Sequence, residues 1–231
     1  ALGHDLGHTP FGHAGERALA ALAPEGFAHN EQSLRVVDVL EKNGEGLNLT
    51  WEVRDGILNH RTSLMPATAE GRIVRLSDKI AYINHDIDDA IRSGELLVDD
   101  LPSESVRVLG TSISSRINRM VIDVIENSYE MEIHMSDEVQ NAMQKLRAFL
   151  FKNVYKIGNS GKQEHRAEAV MRQLYRHYAN PDETNMPDEY EQIAQEEGKE
   201  RAACDYIAGM TDNYAIRLFQ ALFVPGYEMN D

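Results

Sequence analysis

The stretch TAEGRIVRLSDKIAYINHDIDDAIRS, residues 68–93, decides the fold class. Its apolar residues Ile73, Leu76, Ile80, Ile83, Ile87 and Ile91 recur at steps of three and four, the period of an amphipathic helix. The spacing predicts one long helix from about Thr68 to Ser93, ended by Gly94. At about 100° per residue, the first five of these side chains fall within roughly 80° of arc. Arg75, Asp78, Lys79, Tyr82 and Asp86 fall in a separate arc of roughly 100°. A solvated face carries Lys, Glu and Gln in no order. This one sets acids, bases and a phenol over adjacent turns, as a phosphate-and-sugar site needs, with an ordinary exposed face as the alternative reading.

The helical period extends through the chain. Thr9-Pro10 reads as N-cap and first helical position of a helix that stops near Pro24. His29-Asn30-Glu31-Gln32-Ser33 leads into a second helix, with Leu34, Val37 and Leu40 on one side and Asn43-Gly44 at its close. Thr50 can cap a shorter helix through Asn59. Helices are expected over 103–127, 136–155, 162–179 and 199–223, with breaks at 156–161 and a polar surface loop over 180–187. No segment has a convincing period of two, so the class is all-α.

Lysine and arginine number 23 against 38 acidic residues, a formal charge of −15. That balance argues against a general nucleic-acid or anionic-membrane surface, which needs basic patches. No apolar run approaches the ~18 residues of a membrane span. The opening residues lack the pattern of a signal peptide. The single cysteine, Cys204, excludes an intrachain disulfide and a cysteine zinc site, so a reducing, cytoplasmic setting is expected.

Three of the nine histidines, His4, His8 and His13, lie in the opening run GHDLGHTPFGHAGE, residues 3–16. Imidazole and carboxylate side by side suit Mn, Fe, Zn or Mg. Adjacent residues point apart on a regular helix, so His4 and Asp5 can share a metal only where the chain turns, and Leu6-Gly7 supplies a turn. His13 and Glu16, three apart, share a helix face on which the carboxylate can orient the imidazole.

His4-Asp5 with the distant Asp78 resembles the HD-domain phosphohydrolases. The strings GHDLGHTPFGHAGE, HNEQS, RIVRLSDKIAYINHDIDDAI and CDYIAGMTDNYA, in this order, resemble bacterial deoxyguanosinetriphosphate triphosphohydrolases and their close relatives. The likeness covers most of the chain and is strongest over 1–95, with a weaker echo at 201–223. It implies an HD-domain helical bundle, with a catalytic core over 1–100 and a helical C-terminal region over 101–231. It also implies a divalent metal, Mn or Mg first and Fe, Zn or Ni as alternatives, held by two histidines and two aspartates. His4, Asp5 and Asp78 match that set. The family's first histidine lies upstream of its HD pair. The chain begins Ala1-Leu2-Gly3 without an initiator Met, so the reading expects a cut through a larger protein. His60 and His85 are not substitutes for that ligand.

The resemblance further assigns His13 and Glu16 to a catalytic histidine–acid pair, and His8 to the phosphate site. His29 corresponds to a histidine near the reacting phosphate; both His13 and His29 qualify as proton donor to the leaving oxygen. Lys79 matches a triphosphate contact, and Tyr82 and Asp86 match residues at the deoxyribose. Glu31 and Gln32 stand behind these.

The implied reaction splits a dNTP, dGTP or a broader set, into deoxynucleoside and inorganic triphosphate. The implied assembly is a homo-oligomer, tetramer or hexamer, with no membrane partner and nucleic acid disfavoured. The alternatives are another HD nucleotidase or phosphodiesterase, or a regulatory module that binds nucleotides without catalysis.

Overall fold

A computed structural model describes residues 1–155, 160–182 and 186–226. Its helices are α1 (His13–Leu22), α2 (His29–Arg35), α3 (Trp51–Leu58), α4 (Ala69–Arg92), α5 (Ser103–Leu109) and α6 (Ile113–Asn127). There follow α7 (Asp137–Asn153), α8 (Ser160–Tyr178), α9 (Asp188–Glu197), α10 (Lys199–Ala208) and α11 (Asp212–Phe223). A π-helical turn, Val36–Leu40, continues α2, and a short 3-10 turn covers Val98–Asp100. Among the described residues the only pairing of extended backbone is an isolated bridge between Tyr129 and Glu132. The all-α expectation is met. No helix among the described residues is long and apolar enough to cross a membrane.

The long helix forms where its pattern places it. Thr68 caps α4, its hydroxyl accepting the Gly71 N–H at 3.1 Å. Ile80, Ile83 and Ile87 are buried as expected, but Ile73 is 46% exposed. The solvated stripe of the helix is Ser77, Ala81, His85 and Asp89, whereas Arg75, Asp78, Lys79, Tyr82 and Asp86 are all half-buried. The polar arc is therefore not the solvent face.

Several expected helices are divided or shifted. The 103–127 segment breaks into α5 and α6 at Gly110, whose φ of 94° is left-handed. Ser112 then starts α6, accepting the Ser115 N–H at 3.1 Å. The 199–223 segment breaks at Gly209-Met210-Thr211, where the Thr211 hydroxyl accepts the Tyr214 N–H at 3.2 Å and opens α11. Helix α9, absent from the sequence reading, follows Pro187 with Asp188, Glu189 and Glu191 in its first turn, where the helix dipole favours acids. Residues 156–159 of the expected break and 183–185 of the expected loop lie outside the described residues.

Helix α1 starts at His13, not at Pro10. Phe11 and Gly12 both have positive φ, 62° and 59°, which interrupts the helix that Thr9-Pro10 would open. The Thr9 hydroxyl donates to the Gly12 carbonyl at 3.0 Å and closes this turn instead of capping.

The chain forms two compact units, one of Ala1–Leu58 with Lys162–Asp231 and one of Asn59–Gly161. The first unit packs Leu19 with Met171, Leu174, Tyr175, Tyr178, Tyr206 and Ile207. Helix α10 is buried from Ala202 to Ala208 and so forms the centre of this core. Burial pushes the Cys204 thiol there up to about 11. The second unit packs Ile80, Ile83 and Ile87 of α4 against Met120, Met143, Leu146 and Leu150. Within it, buried Arg116 of α6 donates to Asn84 of α4 at 2.8 Å, while Asn84 donates to the Ile80 carbonyl.

Candidate active site

Residues 2–7 are a run of turns, and this lets neighbouring side chains converge. The His4 Nδ1 donates to the Ala1 carbonyl at 2.6 Å, since a carbonyl can only accept. That bond leaves Nε2 as the basic nitrogen, 3.3 Å from Asp5 Oδ2. The two donor atoms stand at a separation from which both can face one divalent cation. The expected turn after the HD pair is thus the feature that brings its side chains together.

Gly7 is required at this point by its neighbour. A Cβ on Gly7 would lie 2.2 Å from the Ser33 backbone nitrogen and 2.6 Å from the His29 carbonyl oxygen. The Gly7 N–H donates to the Ser33 hydroxyl at 2.9 Å, so the turn is pressed and bonded directly onto α2. His29, at the start of α2, is thereby held beside Asp5, with Nε2 3.9 Å from Asp5 Oδ1.

Glu16 of α1 joins the remaining histidines. Its Oε1 accepts the His29 backbone N–H at 3.1 Å and the ring Nδ1–H at 3.0 Å. Its Oε2 lies 3.7 Å from His13 Nδ1. His29 is buried and His13 is 77% exposed on its side chain, so Glu16 serves one enclosed and one open imidazole. The His8 ring stacks on His29 at 5.2 Å and tilts toward His13 at 5.7 Å. Burial alone would raise the Glu16 pKa, but hydrogen bonds from His13 and His29 outweigh it and hold the carboxyl well below its ordinary range. His4, Asp5, His8, His13, Glu16 and His29 therefore form one continuous cluster in the first unit.

Asp78, Lys79, Tyr82 and Asp86 share one side of α4 in the second unit. Arg147 of α7 donates to the Tyr82 hydroxyl at 2.8 Å, and the Tyr155 hydroxyl donates to Asp86. Burial, with the like charges of Arg75 and Arg147, lowers the Lys79 pKa. Burial likewise raises those of Tyr82 and Tyr155, the second also through its bond to Asp86. This half of the expected residues brings Lys79, with Arg75 and Arg147 near it, together with two phenols and a carboxylate bonded to Tyr155.

Residues 1–83 match the HD domain family, and residues 133–221 match a family described as phosphohydrolase-associated domain. The chain is 54% identical to a deoxyguanosinetriphosphate triphosphohydrolase-like protein of Caldanaerobacter subterraneus subsp. tengcongensis, over 100% of the chain and 68% of the relative. A protein of the same description from Clostridium perfringens is 46% identical over 99% of the chain and 70% of its own length. One from Geobacter sulfurreducens is 35% identical over 97% and 72%. The chain belongs to this HD-domain family of deoxyguanosinetriphosphate triphosphohydrolase-like proteins.

Two sets of residues in this HD-domain chain escape sequence reasoning. Asp205 of α10 has a fully buried carboxylate that accepts from Gln32 at 2.8 Å, Arg35 at 2.9 Å and Arg201 at 2.6 Å. Arg35 also donates to Glu197 at 2.7 Å. A buried carboxylate needs such partners, and here they fix the helix that begins with His29. Its only sequence signal was membership of the CDYIAGMTDNYA string. Arg147 and Tyr155 give none, because the helical pattern over 136–155 carries no motif that marks them.

Proposed function

We propose that the protein hydrolyses deoxynucleoside triphosphates, dGTP or a broader set, at the α-phosphorus. Water adds to phosphorus, the bond to O5′ breaks, and deoxynucleoside and intact inorganic triphosphate leave. What carries this reading is the Glu16-centred histidine cluster beside His4 and Asp5, in a chain 54% identical to a protein described as deoxyguanosinetriphosphate triphosphohydrolase-like.

His4, Asp5 and Asp78 would hold a divalent cation, Mn or Mg first, and the imidazole–carboxylate donor set at His4 and Asp5 fits one. Such an ion polarises a phosphoryl oxygen and lowers the pKa of a bound water. The protein's own groups do the rest. Glu16 accepts the His29 Nδ1–H, which leaves Nε2 as the nitrogen that would deliver a proton to O5′ as that oxygen leaves. His13, bound less closely to the same carboxylate, is the other donor in reach of Glu16. His8 and Lys79 offset charge on the triphosphate. Asp86 accepts from the 3′-hydroxyl, and Tyr82 crowds the 2′ position against ribonucleotides. Residues 1–100 are taken as the catalytic core and 101–231 as the region added to it, in a homo-oligomer.

The test is a panel of dNTPs with Mn²⁺, on protein expressed from its complete reading frame, with nucleoside and phosphate products quantified. The account expects nucleoside and triphosphate in equal amounts. Orthophosphate or pyrophosphate would make the protein a different HD phosphohydrolase. Binding without turnover would make it a regulatory module.

A further inference from the structure

The Phe11 backbone lies between two histidines of the cluster and adopts a conformation its own sequence does not favour. Thr9-Pro10 is a helix-start signature, and a bulky residue at φ 62° is locally disfavoured. Left to local preference, the segment would join α1 as one helix from Pro10. Two distant groups oppose this. The Phe11 ring packs against the core of the first unit, and the Phe11 N–H donates to Asp212 Oδ1 at 2.9 Å across a separation of 201 residues.

We propose that Asp212 is a positioning residue for the histidine loop, a latch that keeps Phe11 left-handed and so keeps His8 stacked on His29. Asp212 is the first residue of α11, inside the segment that matches the phosphohydrolase-associated domain. The same segment supplies Asp205, which grips Gln32 and Arg35 on the helix that begins with His29. The associated segment thus bonds both histidine-bearing elements, one carboxylate to each. Its contribution to the reaction is geometric: Asp212 lets the chain turn sharply at Pro10–Gly12, so that His8 before the turn faces His13 after it and also His29.

The test compares Asp212→Ala with Asp212→Asn. Asparagine keeps an Oδ1 acceptor for the Phe11 N–H and loses only the charge; alanine loses both. Thr211 still caps α11 in each, so the helix start is preserved. The first readout needs no activity: the His8 ring resonances by NMR should shift in Asp212→Ala and stay near wild type in Asp212→Asn. The second rests on the triphosphohydrolase reading: kcat should fall roughly tenfold to a hundredfold in Asp212→Ala, with KM little changed, and recover in Asp212→Asn. In the wild type, the Phe11 amide should be protected from hydrogen exchange. An unprotected amide, a silent Asp212→Ala, or an Asp212→Asn as perturbed as the alanine variant would overturn the latch. A wild type that releases no triphosphate would sink the functional reading alone, with the NMR and exchange results still deciding the latch.

Discussion

The Glu16 carboxylate accepts both hydrogen bonds that His29 presents to it, from the backbone N–H at 3.1 Å and the ring Nδ1 at 3.0 Å. One contact fixes where α2 starts, and the other fixes which nitrogen of His29 faces the site. Structure and chemistry are thus joined in a single side chain.

Replacing Glu16 should show both roles. Glu16→Ala is expected to lower kcat by about 10²–10⁴-fold, the range for a general acid–base pair. Glu16→Gln should destabilise the fold by about 1.5–3 kcal/mol at neutral pH, the range for hydrogen bonds to a charged group. The folded carboxyl titrates well below its ordinary 4.5, so its stabilisation is complete above about that pH. As pH falls below 4.5 the unfolded chain takes up the proton first, and the advantage of wild type over Glu16→Gln shrinks. Urea denaturation of both proteins from pH 7 to pH 3 measures this; an advantage that grew on acidification would contradict it.

Gly7→Ala should be costly because the obstacle is backbone. The new methyl would meet the Ser33 nitrogen and the His29 carbonyl, neither of which can rotate away. An overpacking cost of about 1–3 kcal/mol is expected. That corresponds to a fall in Tm of roughly 2–12 °C for a chain of this size. Differential scanning calorimetry decides it, and an unchanged Tm would show that the turn does not press on α2.

The buried Asp205 carboxylate offers a sharper contrast. Asp205→Ala leaves the Arg35 and Arg201 guanidiniums without their shared anion, a loss of about 3–5 kcal/mol for a broken buried pair. Chemical denaturation should place Asp205→Asn between wild type and alanine, because the amide still accepts from one donor. An alanine variant as stable as wild type would mean that Arg35 is satisfied by Glu197 alone.

These examples also mark what was legible in the sequence. Helix α4 could be read because its apolar period runs over many turns and needs no partner to be recognised. The His13–Glu16 pairing could be read because it is local, at i and i+3. The Asp205 contacts to Gln32 and Arg35 could not, since they join residues 173 and 170 positions apart and no local pattern encodes them. The breaks at Gly110 and Gly209 were hidden by helical periodicity on both sides of each. The start of α1 was misread for a different reason: the local signal at Thr9-Pro10 is real, but Asp212 and the core overrule it at Phe11.

Electrostatics on α4 give a fourth prediction. Burial lowers the Lys79 pKa, and Arg75 and Arg147 lower it further as like charges. Arg147→Met removes one of these charges, so the Lys79 pKa should rise toward its ordinary 10.5. NMR titration of the Lys79 ε-methylene reports it directly. A value that fell or stayed constant would show that Arg147 does not act on Lys79.

The most direct measurement of the central claim is hydrolysis of dGTP in water labelled with heavy oxygen, with each product analysed by mass. Attack at the α-phosphorus predicts one labelled oxygen in inorganic triphosphate and none in deoxyguanosine. Label in orthophosphate or pyrophosphate, or in the nucleoside, would contradict the account.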